Sequence, residues 1–196
     1  MTLILASGSV TRRQMLEAAG IAFEVEVPRV DEEAAKRSLR KEALSPRDQA
    51  DALAELKALS ISRRRPGFVI GADQMLAIEG QVLDKPHDPA EARAHLQLLR
   101  GKTHELITAA VVAREGAVIW RCIDTPQLKM RAFSEAFLED YLVRAGEGAL
   151  ASVGGYQLES LGAHLFDRVE GDYFSVLGLP LLPLLAFLRA HGLVAS

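Results

Sequence analysis

Apolar runs alternate along the chain with segments whose apolar positions repeat at helical spacing. The runs at residues 3–6 and 68–70 each predict a short buried strand. Residues 46–61 place apolar side chains three and four positions apart. This spacing predicts an amphipathic helix, with Ser45 as its cap and Pro46 at its first position. Strands that alternate with helices in this way indicate an α/β fold.

Several later strands are predicted to pair as hairpins. Residues 75–78 and 82–83 flank a turn at 79–81, residues 104–114 and 117–130 flank a turn at 114–116, and shorter strands are predicted at 23–27 and 163–166. Hairpin strands are antiparallel, whereas strands joined through helices are parallel. We therefore expect an α/β fold with a mixed, twisted central sheet and flanking helices.

Capping residues mark four more helices. Ser9, Asp88, Ser134 and Pro180 open them, and Gly20, Gly101, Gly146 and Gly192 follow their ends. The charged residues at 34–44 indicate an exposed segment, either helical or mobile. No repeat or Pro/Ser-rich linker divides the chain. We expect a single domain over residues 1–196, with two lobes allowed and the active-site cleft between them.

Composition narrows the class of protein. The chain is 49% hydrophobic and 25% charged, enough for a sizeable core, and its net charge of −3 offers no broad attraction to nucleic acid or anionic membranes. The single cysteine, Cys122, excludes an internal disulfide framework. The apolar N-terminal run is too short for a signal peptide, and prolines interrupt the apolar stretch at 176–188. These features predict a soluble protein of a reducing compartment.

The strand at residues 68–70 leads directly into candidate chemistry. Gly71 and Ala72 follow it, and then the carboxylate of Asp73. In α/β proteins, ligands bind at the carboxyl ends of strands, and small residues there let a substrate approach closely. Asp73 could therefore act as a base or a metal ligand. The alternative is a solvated Asp in an ordinary turn.

A candidate anion site follows the first strand. Ser7-Gly8-Ser9 leads into a helix that carries Arg12 and Arg13 near its first turn. Free N–H groups at a helix N-terminus and two guanidinium groups together suit an anion. Arginine in the first turn opposes the helix dipole, which favours a functional reason over a solvated basic pair.

Further charges complete a possible phosphate site. Three carboxylates at residues 31–33 could ligate a hard cation, or could simply favour a helix N-terminus. Lys57 lies on the helix after Ser45, and the hairpin is expected to return Lys85 close to Asp73. Several cations together with several carboxylates suit chemistry on a phosphate ester with a divalent metal.

The order of these motifs resembles that of the Maf family. The matching segments are Leu3-Ile4-Leu5-Ala6-Ser7-Gly8-Ser9-Val10-Thr11-Arg12-Arg13, Val30-Asp31-Glu32, Ile70-Gly71-Ala72-Asp73, Asp84-Lys85-Pro86, Gly155-Tyr156 to Gly162, and Glu170-Gly171-Asp172-Tyr173 to Leu181. They follow one another over nearly the whole chain. The one departure noted is Val10, where the family usually has proline.

The resemblance implies a nucleoside triphosphate pyrophosphatase that cleaves between the α and β phosphates with Mg²⁺ or Mn²⁺. It also implies a fold shared with inosine-triphosphate pyrophosphatases, a homodimer, a cytoplasmic location and a historical link to septum formation. By position, Asp73 matches the proton acceptor, and Glu32 and Lys85 match further catalytic residues. Glu32 and Asp73 also match the metal site. The remaining phosphate-site matches are Ser7, Arg12, Arg13 and Lys57.

Substrate choice in the family follows positions that match Thr11, Gln74 and Glu159. Members acting on dTTP and UTP tend to have Arg, Thr and Gln there, and members acting on 7-methyl-GTP tend to have Trp, Gln and Glu. A carboxylate can accept two N–H groups of a guanine edge, whereas a pyrimidine imide suits an amide better. We therefore expect 7-methyl-GTP or another modified nucleotide, with dTTP/UTP as the alternative.

Two other functions would use similar motifs. One is a nucleotide-binding regulator of division with little catalysis. The other is a sugar-nucleotide transferase, whose glycine-rich N-terminal loop and acidic residues can look alike but which needs a second, acceptor substrate.

Overall fold

The structure is a computed structural model that describes residues 1–195. These residues form eight strands and eight α-helices. The strands are β1 Leu3–Ala6, β2 Glu24–Val25, β3 Phe68–Ile78, β4 Gln81–Leu83, β5 Thr103–Arg114, β6 Ala117–Asp124, β7 Gln127–Met130 and β8 Phe166–Glu170. The sheet order is β2-β1-β3-β5-β7-β8, with β4 on β3 and β6 on β5. Parallel and antiparallel pairs both occur, so the predicted mixed α/β class is confirmed.

Residues 1–195 contain eight α-helices, five of which follow a predicted start residue. They are α1 Val10–Ala18, α2 Glu32–Lys41, α3 Pro46–Ser62, α4 Pro89–Leu99, α5 Glu135–Ala145, α6 Gly148–Ala151, α7 Tyr173–Val176 and α8 Leu181–Ala190. Ser9, Ser45, Asp88 and Ser134 each accept a backbone N–H from the first turn of the helix that follows. No helix in residues 1–195 is both long and apolar enough to cross a bilayer.

The chain divides into two compact units. The first comprises Met1–Gln74, Thr108–Asp124 and the chain from Gly178 onward. In it, β1 runs parallel to both β2 and β3, and the second half of β5 pairs antiparallel with β6. Helix α3 packs on β1 and β6. Ile4, Ala6, Ile61 and Val69 form a fully buried cluster in this unit, which fixes the strand ends that carry the candidate chemistry.

The second unit comprises Met75–Ile107 and Thr125–Leu177. The end of β3 pairs with β4, the start of β5 pairs with β7, and β7 pairs with β8, all antiparallel. This unit has a core of its own, built from buried apolar side chains. Members include Leu76, Leu96, Leu99, Leu106, Leu128, Met130, Leu138, Tyr141, Tyr156 and Leu165.

Strand β3 is longer than predicted. The sequence placed its end at Gly71-Ala72, with Asp73 beyond it, whereas the strand continues to Ile78. Leu76 and Ile78 pair with β4 and are buried, so the apolar pattern resumes after Asp73. The small residues do not end the strand. They lie where α3 approaches it, because a Cβ on Gly71 would come within 2.7 Å of the Ala58 amide nitrogen.

The predicted strand at 117–130 is two strands. β6 ends at Asp124 and β7 begins at Gln127, separated by Thr125-Pro126. Pro126 has no N–H to donate to a sheet, and it separates the two stretches that pair with different halves of β5.

The expected strands at 163–166 and 23–27 also differ from the structure. A 3-10 helix spans Leu161–Leu165, and the strand there is β8, which starts at Phe166. Gly162 makes this tight turn possible, since a Cβ on it would lie 3.0 Å from the Gln157 nitrogen. Only Glu24–Val25 form β2, and both residues are exposed. A longer strand here would gain little stability from the burial of side chains.

Candidate active site

The loop between β1 and α1 brings a hydroxyl, backbone N–H groups and a guanidinium together. Ser7 is buried at the end of β1, and its Oγ accepts the Ser9 N–H at 3.1 Å. Ser9 caps α1, its Oγ accepting the Arg12 N–H at 3.3 Å. The predicted strand, loop and capped helix are confirmed. A helix N-terminus of this kind carries partial positive charge and suits an anion.

The Arg12 side chain is held by backbone carbonyls. Its Nε donates to the Gly178 carbonyl at 2.7 Å, and its Nη1 donates to the Ala72 carbonyl at 3.0 Å. Nη1 also reaches the Ser7 Oγ at 3.5 Å. The guanidinium is therefore fixed between the loop, the C-terminal segment and β3.

Two carboxylates influence this guanidinium. Burial lowers the pKa of Arg12, while the negative charges of Asp73 and Glu32 raise it. Because the pKa of an arginine lies far above neutral pH, Arg12 stays charged under both influences. Arg12 therefore contributes a permanent positive charge beside the two acids.

A buried ammonium joins those acids. Lys57 Nζ lies 2.7 Å from Asp73 Oδ1 and 2.8 Å from Glu32 Oε2. The side chains of Lys57 and Asp73 are each 9% exposed, and that of Glu32 is 41% exposed. The cluster is therefore closed on the Asp73 side and open toward solvent on the Glu32 side. Such a buried charge set is stable only when its members are paired.

Close packing of α3 on β3 places Lys57 over Asp73. Gly71 has no side chain to keep the helix away, and Ala58, next to Lys57, lies directly against it. A residue one turn along α3 projects from the same face but is displaced by about 5.4 Å along the helix axis, so the position of Gly71 in the strand sets which helix residue meets Asp73.

Of the three acids at residues 31–33, only Glu32 joins the cluster. The Asp31 carboxylate caps α2 by accepting the Ala34 N–H at 2.9 Å, and Glu33 pairs with Lys36 at 3.2 Å. The two interpretations left open by the sequence therefore apply to different residues. Asp31 favours the helix N-terminus, and Glu32 belongs with the candidate chemistry.

Two carboxylates of the cluster fit a divalent ion that takes its remaining ligands from water and substrate. Within residues 1–195, no group of three or more His, Cys, Asp or Glu side chains could hold a metal on its own. Glu32 and Asp73 converge on one point, the Lys57 ammonium, and so can present oxygen ligands to a cation together. Mg²⁺ commonly takes one or two carboxylates and completes its shell with water and substrate phosphates, so this donor set fits it.

Gln74 follows Asp73 in β3 and is fixed by a neighbour. Its Nε2 donates to the Thr108 Oγ1 at 2.8 Å, and Thr108 is fully buried. This contact sets the direction of the amide group that the sequence assigned to base recognition.

The other predicted residues fall into two groups. Thr11 lies half-buried in the first turn of α1, and the neighbouring Arg13 is exposed and 3.8 Å from Glu17. Arg13 is thus not joined to the Lys57 cluster in this structure. Lys85, directly after β4, and Glu159, between the two 3-10 helices, belong to the second unit and are both exposed. Their roles stay predictions.

Sequence reasoning missed the groups that hold the site residues. Thr108 stands out as a polar residue inside an apolar strand, and that pattern could have marked it. The carbonyls of Ala72 and Gly178 have no such signal, because backbone groups are the same in every sequence. Gly178 lies in a segment that matches the family, but the sequence does not show that its carbonyl holds Arg12.

An α/β fold with a capped helix at a phosphate-type loop, and with paired acids and cations at a strand, is characteristic of proteins that handle phosphorylated ligands. The chain belongs to the Maf family, since the family model described as Maf-like protein matches residues 2–191. A nucleoside triphosphate pyrophosphatase of Caulobacter vibrioides is 55% identical over 188 residues, covering 96% of this chain and 94% of that protein. A nucleoside triphosphate pyrophosphatase of Rhodospirillum rubrum is 53% identical over 194 residues, covering 98% and 96%.

Proposed function

We propose that this protein hydrolyses nucleoside triphosphates between the α and β phosphates, giving a nucleoside monophosphate and pyrophosphate. The names of relatives that are more than half identical support this class of activity. The observation that carries the proposal is the Lys57 ammonium between Asp73 and Glu32, beside the fixed guanidinium of Arg12. Phosphoanhydride cleavage needs such a set, in which cations stabilise phosphate charge and a carboxylate handles a proton.

Each side chain of the cluster has a role that its position supports. Arg12 and Lys57 stabilise the negative charge that grows on the pyrophosphate as it leaves. Asp73 accepts a proton from the attacking water, whose oxygen forms the new bond to the α phosphorus. Ser7 and the N–H groups at the start of α1 hold phosphate oxygens.

Glu32 and Asp73 would hold Mg²⁺ or Mn²⁺ with substrate oxygens. When bound, the ion would supply Lewis-acid stabilisation of the phosphate oxygens.

The resemblance in sequence assigns Lys85 to catalysis and Arg13 to the phosphates, and supports a cytoplasmic homodimer. Elution of the purified protein from a calibrated gel-filtration column at the mass of one chain would contradict the dimer.

The test of the activity is pyrophosphate release from a panel of nucleotides with Mg²⁺, comprising 7-methyl-GTP, GTP, UTP and dTTP. We expect turnover on at least one of them. Turnover on none would contradict the proposal and favour a nucleotide-binding regulator of division. A requirement for an acceptor other than water would instead favour a transferase.

Asp73→Asn tests the proton acceptor. The amide keeps the shape of the side chain but cannot take up the proton, so we expect kcat to fall by about 100- to 10,000-fold. Asp140→Asn, which alters an exposed pair with Arg144, is the matched control and should keep normal turnover. Normal kcat in Asp73→Asn, with nucleotide binding intact, would remove Asp73 from this role.

For the base, we propose 7-methyl-GTP or another modified nucleotide as the favoured substrate. Gln74 and Glu159 match the residues of members with that preference, whereas Thr11 lacks the aromatic ring that would stack on a methylated base. The alternative is a dTTP/UTP pyrophosphatase.

Glu159→Gln tests the reading of the base. A carboxylate accepts two guanine N–H groups, and the amide replaces one acceptor with a donor. We expect the ratio of kcat/KM for 7-methyl-GTP to that for UTP to fall by roughly 10- to 100-fold. Glu147→Gln, which changes an exposed carboxylate just before α6, should leave the ratio unchanged. An unchanged ratio in Glu159→Gln would exclude this residue from base selection.

A further inference from the structure

The orientation of Arg12 depends on two carbonyls that come from distant parts of the first unit. The Nε bond to Gly178 spans 166 residues of sequence, and the Nη1 bond to Ala72 spans 60. These bonds engage Nε and Nη1. Among residues 1–195, Nη2 has no hydrogen-bond partner. The guanidinium is thus held on one side and keeps donors for a ligand on the other.

Gly178 is the less replaceable of the two carbonyl residues. It is buried, and its φ of +102° lies where residues with a side chain are strained. A Cβ there would also lie 3.4 Å from both Nε and Nη2 of Arg12. Two independent features, the backbone angle and the missing side chain, therefore fit Gly178 to the guanidinium.

We propose that Gly178 is a positioning residue, which aims the Arg12 guanidinium at the phosphates of the substrate. The inference rests on the proposed function, because that function gives Arg12 a ligand to bind. A side chain oriented before binding loses less entropy when the ligand arrives, and small errors of placement cost much of the rate. A side chain at residue 178 would contact the guanidinium, and relief of its strained φ would move the carbonyl that holds Nε, so we expect Arg12 to lose this orientation.

Gly178→Ala tests the proposal, with Gly192→Ala as the matched control. Gly192 also has a positive φ, +67°, but a Cβ there would meet nothing within 4 Å. Both variants place a side chain at a positive φ, with the greater strain at +102°, and only Gly178→Ala touches Arg12. We expect kcat/KM to fall by roughly 10- to 100-fold in Gly178→Ala and to stay within about twofold in Gly192→Ala. Equal values in the two variants would overturn the proposal.

A double-mutant cycle separates positioning from general damage. If Gly178 acts through Arg12, adding Gly178→Ala to Arg12→Ala should lower kcat/KM no further. A further loss of 10-fold or more in the double variant would show that Gly178 acts by another route. If Gly178→Ala does not fold, Arg12→Lys replaces it. A lysine keeps the charge but cannot span both carbonyls, so activity equal to wild type would overturn the proposal.

Binding of inorganic triphosphate, measured by calorimetry, keeps this inference separate from the proposed activity. If no nucleotide is hydrolysed but triphosphate binds the wild type about 10-fold more tightly than it binds Gly178→Ala, the activity is wrong and the positioning role stands. If hydrolysis occurs and Gly178→Ala matches Gly192→Ala in both assays, the positioning role is wrong and the activity stands. Wild type that neither hydrolyses nucleotides nor binds triphosphate contradicts both.

Discussion

The Lys57 ammonium occupies the point on which two carboxylates converge, so its charge decides whether they can lie together. Asp73 is nearly enclosed, and a carboxylate in such a place is costly without a partner. Lys57 therefore stabilises the site, in addition to the chemical role proposed for it. A divalent cation between the same oxygens would balance the same charge.

Lys57→Met should therefore destabilise the protein, and Mg²⁺ should restore part of the loss. Removing one partner from a buried set leaves uncompensated charge, for which we expect a decrease in the free energy of unfolding of about 3 kcal/mol. Urea unfolding with and without millimolar Mg²⁺ measures both effects. Lys102→Met breaks an exposed pair with Glu79 and should cost less than about 1 kcal/mol with no response to Mg²⁺. If Lys57→Met lowered the free energy of unfolding by less than about 1 kcal/mol, the stabilising role of the ammonium would be contradicted.

At the scale of elements, the contact between α3 and β3 organises the cluster. The helix supplies Lys57 and the strand supplies Asp73, and Gly71 lets the two approach. A substitution that disrupts this contact should therefore lower both the free energy of unfolding and kcat.

Gly71→Ala should separate the two elements. Its Cβ would lie 2.7 Å from the Ala58 nitrogen and 2.9 Å from the Ala58 Cβ. Because these atoms belong to the backbone and Cβ of α3, the clash is relieved only if the helix moves. We expect the free energy of unfolding to fall by about 1–3 kcal/mol or more, together with a loss of kcat. Gly8→Ala is the control for stability, since its Cβ would meet only Val27 methyl groups at 3.8 Å and 3.9 Å. Unaltered unfolding of Gly71→Ala in urea would contradict the close contact.

The local signals in the sequence were reliable where a side chain bonds to backbone a few residues away. Ser9, Ser45 and Asp88 were predicted as caps, and each accepts the expected N–H. Prediction was wrong where the cause is tertiary. Gly71 looked like the end of a strand because its real constraint, a helix packed against it, is absent from the local sequence.

The same division holds for the site. Asp73, Glu32, Lys57 and Arg12 were all predicted, and the structure brings their charges together. Sequence alone could not predict that Asp31 caps α2 while Glu32 pairs with Lys57, because these contacts depend on the residue at which α2 begins. The carbonyl of Gly178 could not be predicted either, since its partner lies 166 residues away.

At the scale of the whole molecule, each unit has a core of its own, and β3 and β5 contribute residues to both. The cluster of acids and cations lies in the first unit. The core of the second contains a buried polar pair, in which His104 Nε2 lies 2.6 Å from the Tyr156 hydroxyl oxygen. Burial raises the pKa of Tyr156 well above its usual value, so both rings are neutral at neutral pH.

This pair should make the stability of the protein depend on pH. Burial lowers the pKa of His104 to about 4, below the usual value of 6.5. Between these values the unfolded chain binds a proton that the folded protein does not, so stability falls as the pH drops from 6.5 toward 4. The full loss from this residue is about 3 kcal/mol. Urea unfolding from pH 7.5 to 4.5 should show the slope in wild type and in His87→Gln, an exposed histidine, and a flatter slope in His104→Gln. An equal slope in all three would mean that His104 is not protonated on unfolding.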